Sequence, residues 1–546
     1  MLEGTVPWPA ALADRYRAAG WWDGLTVFEV LARAARRRPD HTAIVDGERR
    51  FSYAELERQV NRLAARLLGL GIAPLDRVVV QLPNVAEFVL VYFALARIGA
   101  IAVMALRAHR QAEVRHFLNA SGATAYIVAD RVGSFDYRPM AQALRAQAPT
   151  LRHVIVLGHA QDGQHAYAEL MAGDLAAPAR WPTIDPGEVS TMLLSGGTTS
   201  MSKLIPRTHQ DYVLNARLCA AAAGFDGSTV FMAILPLGHN YNLASPGLLG
   251  TFVHAGTLVL APAADAPSVF DLVERERVSV IAAVVPLVVN WLAASAETGR
   301  DIGSLKVIQN GGARLAPELR QRLRERFRCV PQEIYGTAEG LINMTRLGDP
   351  DRLLLHSSGA PVCEADEIKV VDDDGREVPD GEPGELLTRG PYTIRGYYDA
   401  PEKNAEAFTP DGWYRMGDIV RKHGRHVHAE GRKKDLINRG GEKISCEEVE
   451  NLIFGHPKVQ AVTLVAMPDR VFGEKACAFV VPRPGQTLAF DELMAYLRAQ
   501  DIASFKLPER LEIVSEFPLS PVGKILKREL RERLVARVDP AADAGS

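Results

Sequence analysis

Short apolar runs, each stopped by turn residues and separated from the next by a longer segment, continue from about residue 25 to about residue 350. DRVVVQL (76–82) is β-branched; NVAEFVLVYFALARIG (84–99) is long enough for a helix; AIAVMAL (100–106) reads as strand again. TAYIVAD, HVIVLG, STMLLSG, TVFMAIL, GTLVLAP, SVIAAVV and LKVIQNGG extend the series. Strands that are apolar along their whole length are buried on both faces, and helices between them imply parallel sheets. No period repeats, which argues against a solenoid. The most apolar segment, VSVIAAVVPLVVNWLAA (278–294), is interrupted by Pro286 and Asn290. It is too short to span a bilayer and reads as a buried strand and the start of a helix.

The texture changes after about residue 360. DEIKVVDDDGREVPDGEPGELLTRG breaks β-runs with Asp-Gly and Pro-Gly signals, as in antiparallel hairpins. The charged GRKKDLINRGGEKIS (431–445) follows. Beyond it EEVENLIFGH, FDELMAYLRAQ and LKRELRERLVARV read as helices, and QAVTLVAMPD, ACAFVVPR and ERLEIVSEF as strands. The expected fold class is α/β. A large body, 1–432, combines mixed and parallel sheets with helices and a β-rich subdomain; a small mobile α+β lobe, 433–546, follows a boundary inside GRKKD. The tail DPAADAGS is expected to be disordered.

With 546 residues, 47% of them apolar and 24% charged, the chain has the balance of a soluble globular protein. A net charge of −3 gives no reason for general affinity to nucleic acid or membrane, so an anionic ligand must be held by a local site. The five cysteines form no CxxC pair, which argues against a disulfide framework or zinc site and fits a reducing cytosol. The first residues lack the apolar core of a secretory signal, and a cytoplasmic location is expected.

SGGTTSMSKLIPRTH (195–209) follows the strand-like STMLL. Glycines let backbone N–H groups approach an anion, and Ser and Thr hydroxyls add donors. Lys203 is not followed by Ser or Thr and no glycine directly precedes it, so the Walker pattern is unmet and a P-loop NTPase is disfavoured. By its residues alone the stretch is either a phosphate cradle or a plain surface loop.

Four further stretches follow in order: YGTAEG (335–340), YRMGDIV (414–420), GRKKDLINRGGEKIS (431–445) and PLSPVGKILKREL (518–530). Together with the loop they resemble the signature set of the adenylate-forming superfamily: acyl-CoA synthetases, luciferases and peptide-synthetase adenylation domains. The chain more narrowly resembles the stand-alone aryl-acid adenylating enzymes of siderophore synthesis. That likeness is carried by SFDYRPMA (134–141), HNYNLASPG (239–247), AEGLINMTRL (338–347), RGPYTIRGYY (389–398) and INRGGEKI (437–444).

The resemblance implies attack of an aryl carboxylate on the α-phosphorus of ATP, release of pyrophosphate, and transfer of the acyl group to a pantetheine thiol. That thiol belongs to an aryl or peptidyl carrier protein, or to CoA. By resemblance, Ser195, Gly196, Gly197, Thr198, Thr199 and Lys203 cradle the β- and γ-phosphates, and Glu339 holds Mg²⁺. Asp418 accepts the ribose hydroxyls with Arg432 beside it, and Gly311, Gly312, Ala313, Tyr335 and Gly336 form the adenine slot. Lys524 bridges the acid and the α-phosphate, Lys434 is the hinge of the lobe, and Gly440 and Gly441 border the thiol tunnel. Without the resemblance NGG is a turn, Glu339 a solvated carboxylate, and Lys524 a solvated lysine before a basic helix.

Asn240 and Tyr241 resemble pocket residues that offer a hydrogen bond and a ring face to an ortho-hydroxybenzoate. His239 stands near the acid's carboxylate in this reading; its rival is a satisfied buried histidine. Ser245 stands where dihydroxybenzoate relatives tend to have Ser and salicylate relatives Cys, and a hydroxyl pairs with a 3-OH better than a thiol does. Ile342 stands where the dihydroxybenzoate enzymes favour a smaller Val. 2,3-Dihydroxybenzoate is favoured, with salicylate or another aryl acid as alternatives. Ser200 and Ser202 replace the family's glycine and proline, and a serine where the family's glycine takes φ > 0 is strained. This leaves two other readings beside the carrier-loading ligase: an aryl-CoA ligase, and an ATP-binding relative without catalysis.

Overall fold

The computed structural model describes residues 1–173, 178–195, 201–440, 442–500, 502–520 and 523–538. The sequence-named Gly196, Gly197, Thr198, Thr199, Ser200 and Gly441, and the tail from residue 539, lie outside these.

The apolar runs form two large sheets. One has the order Ala360–Pro361, Gly340–Met344, Val330–Thr337, Val307–Gly311, Val280–Ala283, Val230–Ala233, Thr257–Leu260, Thr42–Asp46, Arg49–Ser52. The other runs Leu204–Thr208, Val189–Leu194, Ile101–Met104, Arg77–Gln81, Ala125–Ala129, His153–Leu157, His165–Ala166. Their interiors are parallel, as the unbroken apolar runs and intervening helices predict. Antiparallel pairs occur toward the edges, at Arg49–Ser52, Gly340–Met344 and Leu204–Thr208. These strands return directly from their neighbours, which only an antiparallel connection allows.

NVAEFVLVYFALARIG forms the helix Ala86–Ile98, almost wholly buried and stopped at Gly99 with φ +73°. SVIAAVV supplies the strand Val280–Ala283, and Pro286 sits in the first turn of the helix Val285–Ala294, where its missing N–H costs nothing. Among the described residues no helix is long and apolar enough to cross a membrane.

The Asp-Gly and Pro-Gly stretch forms an antiparallel sheet of Glu367–Val371, Pro383–Arg389, Tyr414–His423 and His426–Arg432. After the one-turn helix Lys433–Asp435 a separate sheet begins. It orders Glu442–Ile444, Ile437–Arg439, Gly473–Pro482 and Val459–Asp469, with Arg510–Ile513 parallel to Gly473–Pro482. The helices Cys446–Phe454, Phe490–Ala499 and Lys527–Val538 complete this lobe. Its core, including Ile437, Val449, Leu464 and Leu493, is its own. Phe454 packs back onto the body, and Glu447 forms an ion pair with Arg314 of the body at 3.1 Å.

Candidate active site

The strands Val307–Gly311 and Val330–Thr337 are parallel neighbours, and their C-terminal ends carry QNGGA and YGT. The crevice beyond such strand ends is where open α/β sheets bind ligands. A buried polar cluster shapes this end. Glu333 is paired with fully buried Arg320 at 3.1 Å and accepts from Asn310 Nδ2 at 3.1 Å; Asn310 Nδ2 also donates to the Ala313 carbonyl at 2.7 Å. The turn through Gly311, Gly312 and Ala313 is thereby held from below. The sequence reading missed Glu333 and Arg320.

A Cβ at Gly311 would lie 2.9 Å from Tyr241 Cε1, and one at Gly336 would lie 2.7 Å from Ile342 Cδ1. Bare Gly311 thus admits the Tyr241 ring, whereas Gly336 is required first by the Leu341 carbonyl, 2.3 Å from where its Cβ would be, and only then by Ile342. Gly312, at φ +85°, turns the chain, and a Cβ there would sit 3.3 Å from Lys524 Cε.

Lys524 arrives from the lobe on a tight hairpin. Ser520 N donates to the Lys524 carbonyl at 2.7 Å, and Ser520 Oγ accepts from Lys524 N at 3.0 Å. The lysine side chain is solvent-accessible, yet protein crowds the cleft around it. Desolvation there, followed by the nearby Arg432 guanidinium, lowers the ammonium below the ordinary lysine value, against the pull of Asp418 and Glu339.

Asp418 is 5% exposed. Its Oδ2 accepts from the Tyr335 hydroxyl at 2.8 Å and its Oδ1 is paired with Arg432 Nε at 2.9 Å; Arg432 Nη1 donates to the Met416 carbonyl at 3.0 Å. Burial pushes the Asp418 carboxyl up, and Arg432 opposes it. A fixed, oriented carboxylate of this kind can accept hydroxyl donors.

Glu339 and Lys203 share Tyr397. The Tyr397 hydroxyl donates to Glu339 Oε1 at 2.9 Å, and Lys203 Nζ lies 4.1 Å from the centre of the ring. Burial lowers the Lys203 ammonium, and Glu339 opposes that shift. Ser195 closes the neck of the loop: its N–H donates to the Lys203 carbonyl at 3.0 Å and its Oγ accepts from Lys203 N at 2.9 Å. The Ser202 carbonyl accepts from His116 Nε2 at 2.9 Å. Fully buried Arg207 donates to the Ala338 carbonyl at 2.9 Å and pairs with fully buried Asp211 at 2.7 Å, so it ties the residue before Glu339 to the strand after the loop.

The short helix Asn240–Ala244, flanked by His239 and Ser245, and the strand Gly340–Met344 carry the remaining residues expected in the acid pocket. His239 caps it, its Nδ1 accepting from Tyr241 N at 3.3 Å. Burial, with Lys524 second, lowers the imidazole to about 4, so it is neutral at pH 7. Asn240 Oδ1 accepts from the Tyr212 hydroxyl at 3.0 Å, and its Nδ2 donates to Ser245 Oγ at 3.2 Å. Ile342 is buried, and its N–H donates to the Tyr392 hydroxyl at 3.3 Å. Tyr392 in turn donates to Asp366, whose acid burial pushes up to about 7.

Asp366 supports a stability prediction. Its folded value lies above an ordinary aspartate's value near 4. The neutral acid's contribution is therefore fully present below about pH 4 and is lost as pH rises through about 7. Asp366→Asn keeps an acceptor for Tyr392 and removes the titration. Its melting temperature relative to wild type should rise between pH 5 and pH 8, by the equivalent of ~3 kcal/mol at most, at ~1.4 kcal/mol per unit. A difference equal at both pH values contradicts this.

Lys434 lies in the one-turn helix between the two sheets, and Gly440 in the turn after Ile437–Arg439, its N–H donating to the Phe472 carbonyl at 2.7 Å. Among the described residues no three His, Cys, Asp or Glu side chains are grouped to bind a metal. One buried carboxylate, Glu339, suits an ion that keeps most of its oxygen ligands from phosphate and water, as Mg²⁺ does. All five cysteines are buried and free.

Comparison with known proteins agrees with this layout. Residues 31–398 match the family model for the AMP-binding enzyme, and residues 448–524 match the model for the AMP-binding enzyme C-terminal domain. The chain is 45% identical over 536 residues to the 2,3-dihydroxybenzoate-AMP ligase of Bacillus subtilis, covering 98% of each protein. It is 44% identical over 547 residues to the salicyl-AMP ligase / salicyl-S-ArCP synthetase of Mycobacterium tuberculosis, covering 99% of this chain and 96% of that one. The apo structure of Mycobacterium smegmatis MbtA superposes with a TM-score of 0.75 at 41% identity, over 97% of this chain and 99% of that one. With both family models matched in order along one chain whose strand ends, Asp418 and Lys524 meet in a single cleft, this protein belongs to the AMP-binding enzyme family.

Proposed function

We propose that this chain joins an aryl carboxylic acid to AMP, expelling pyrophosphate from ATP, and then passes the aryl group to the pantetheine thiol of a carrier protein. The observation that carries the reading is the arrival of Lys524, from a different lobe, beside Gly312 and within the field of Asp418, Glu339 and Arg432. A carboxylate and a triphosphate repel each other, and a cation aimed at both lowers the barrier where their charges converge. Asp418, braced by Tyr335 and Arg432, holds the ribose. Lys203, with the Ser195 neck behind it, meets the outer phosphates. Mg²⁺ bound with ATP supplies further charge neutralisation, and Glu339, oriented by Tyr397, is the residue that holds it. His239, neutral, keeps its helix and hence Asn240 and Tyr241 in place against the aryl ring. Residues 433–546 form the unit that swings about Lys434 once the adenylate has formed.

The names of two relatives point to 2,3-dihydroxybenzoate and to salicylate. Ser245 supports the former, because a second ring hydroxyl needs a polar partner. The test is ATP–pyrophosphate exchange across a benzoate panel, followed by thioester formation. Exchange should be fastest with 2,3-dihydroxybenzoate, and the aryl group should load onto an aryl carrier protein far faster than onto free CoA. Absence of exchange with every aryl acid refutes the reading, and efficient loading of CoA alone changes the acceptor.

A further inference from the structure

Behind Asn240 and Ser245 stands one residue that the reading above does not use, Asn215. Ser245 is 1% exposed, and its Oγ accepts two amide N–H bonds, from Asn240 Nδ2 and from Asn215 Nδ2, each at 3.2 Å. A hydroxyl has two lone pairs and one proton. With both lone pairs engaged, Ser245 can offer a ligand only a donor. Cys219, which interacts with the Ser245 hydroxyl, is a weak acceptor that a better one displaces.

A ring hydroxyl accepting from Ser245 must place its own proton. Asn240 Oδ1 already takes the Tyr212 hydroxyl at 3.0 Å and keeps one lone pair, whereas the Asn215 oxygen has both. Asn215, on the helix His209–Ala222, is fully buried. Its Nδ2 donates to the Ala244 carbonyl at 2.6 Å as well as to Ser245, while its Oδ1 is buried without a hydrogen-bond partner. The Ala244 carbonyl can only accept, which determines the end of the amide that is nitrogen. A buried acceptor left unpaired is costly, and a ring hydroxyl that reaches the Asn215 oxygen from its place beside Ser245 would satisfy it.

We propose that Asn215 is a specificity-determining residue of the aryl pocket: its N–H holds Ser245 as a pure donor, and its amide oxygen receives the proton of a hydroxyl at the 3-position of the ring. The inference rests on the aryl-acid reading and adds to it the polarity of the second-hydroxyl subsite.

The experiment measures kcat/KM in ATP–pyrophosphate exchange for salicylate, 3-fluorosalicylate and 2,3-dihydroxybenzoate. Wild type should prefer 2,3-dihydroxybenzoate over salicylate at least about tenfold. 3-Fluorosalicylate, which cannot donate, should rank with salicylate. Asn215→Leu, close in size and without polar atoms, should bring the dihydroxybenzoate-to-salicylate ratio to within about threefold of unity, mainly through KM. A structural lesion alone would lower both substrates together and leave the ratio in place, which overturns the proposal. So does a wild type that prefers salicylate, or one that uses 3-fluorosalicylate as well as 2,3-dihydroxybenzoate; these wild-type arms can refute the proposal even if the variant does not fold. Absence of exchange with all three acids removes the proposed function and this inference together, whereas exchange with an unchanged ratio removes this inference alone.

Discussion

Lys524→Ala is expected to lose about 10²–10³-fold in ATP–pyrophosphate exchange while still transferring the aryl group from a supplied aryl-adenylate to its thiol acceptor. The side chain is exposed in the cleft, and Lys524 makes the hydrogen bonds of its hairpin to Ser520 through its own backbone N and O, so the fold should be kept. What is removed is the charge that the lobe brings to Gly312. That charge matters most where carboxylate and phosphoryl oxygens converge, so the loss should fall on kcat of the first half-reaction more than on KM for either substrate. Because the ammonium is held below the ordinary lysine value, wild-type adenylation should also decline at a lower alkaline pH than a free lysine would dictate. Equal loss of both half-reactions would contradict a role confined to adenylation.

Arg207→Leu is expected to cost ~3–5 kcal/mol in unfolding free energy, the scale for breaking a buried pair. Arg207 and Asp211 are both fully shielded from solvent, and Asp211 also accepts from the N–H and hydroxyl of Thr208, capping the helix that follows. Removing the guanidinium strands a carboxylate in the core. It also frees the Ala338 carbonyl, and with it the backbone before Glu339. The double variant Arg207→Leu/Asp211→Asn keeps an acceptor for the cap and removes the stranded charge. It should recover much of the lost stability without restoring exchange activity. A double variant no more stable than the single one in urea would show that charge burial is not the cause.

The parallel sheets were legible because unbroken β-branched runs have few other fates, and the helix Ala86–Ile98 because its apolar run ends at a glycine. The lobe was legible for the same reason, each helix and strand carrying its own periodicity. The buried pairs were not. Arg207 and Asp211 do stand in RTHQD, where Thr208 and Asp211 have capping-box spacing, and that signal could have located the helix start. Nothing in the local pattern reveals that Arg207 reaches Ala338, or that Asp366, Tyr392 and Ile342 form a chain of hydrogen bonds behind the pocket. Such contacts join residues far apart along the chain, where local propensity carries no information.

The order of the motifs, the α/β class and the types of residue available for chemistry were determined by sequence alone, since each depends on local pattern. Which glycine faces which side chain was decided only in three dimensions. QNGG reads as a turn or an adenine slot; the fold shows that Gly311 makes room for Tyr241, and Gly312 for Lys524 from another lobe. Likewise Ser245 reads as a lone hydroxyl, and only the packing of two helices gives it two amide donors and so determines what it has left to offer a ligand. Hydrogen-bond capacity is a property of the residue; its remaining balance depends on neighbours that tertiary structure alone supplies.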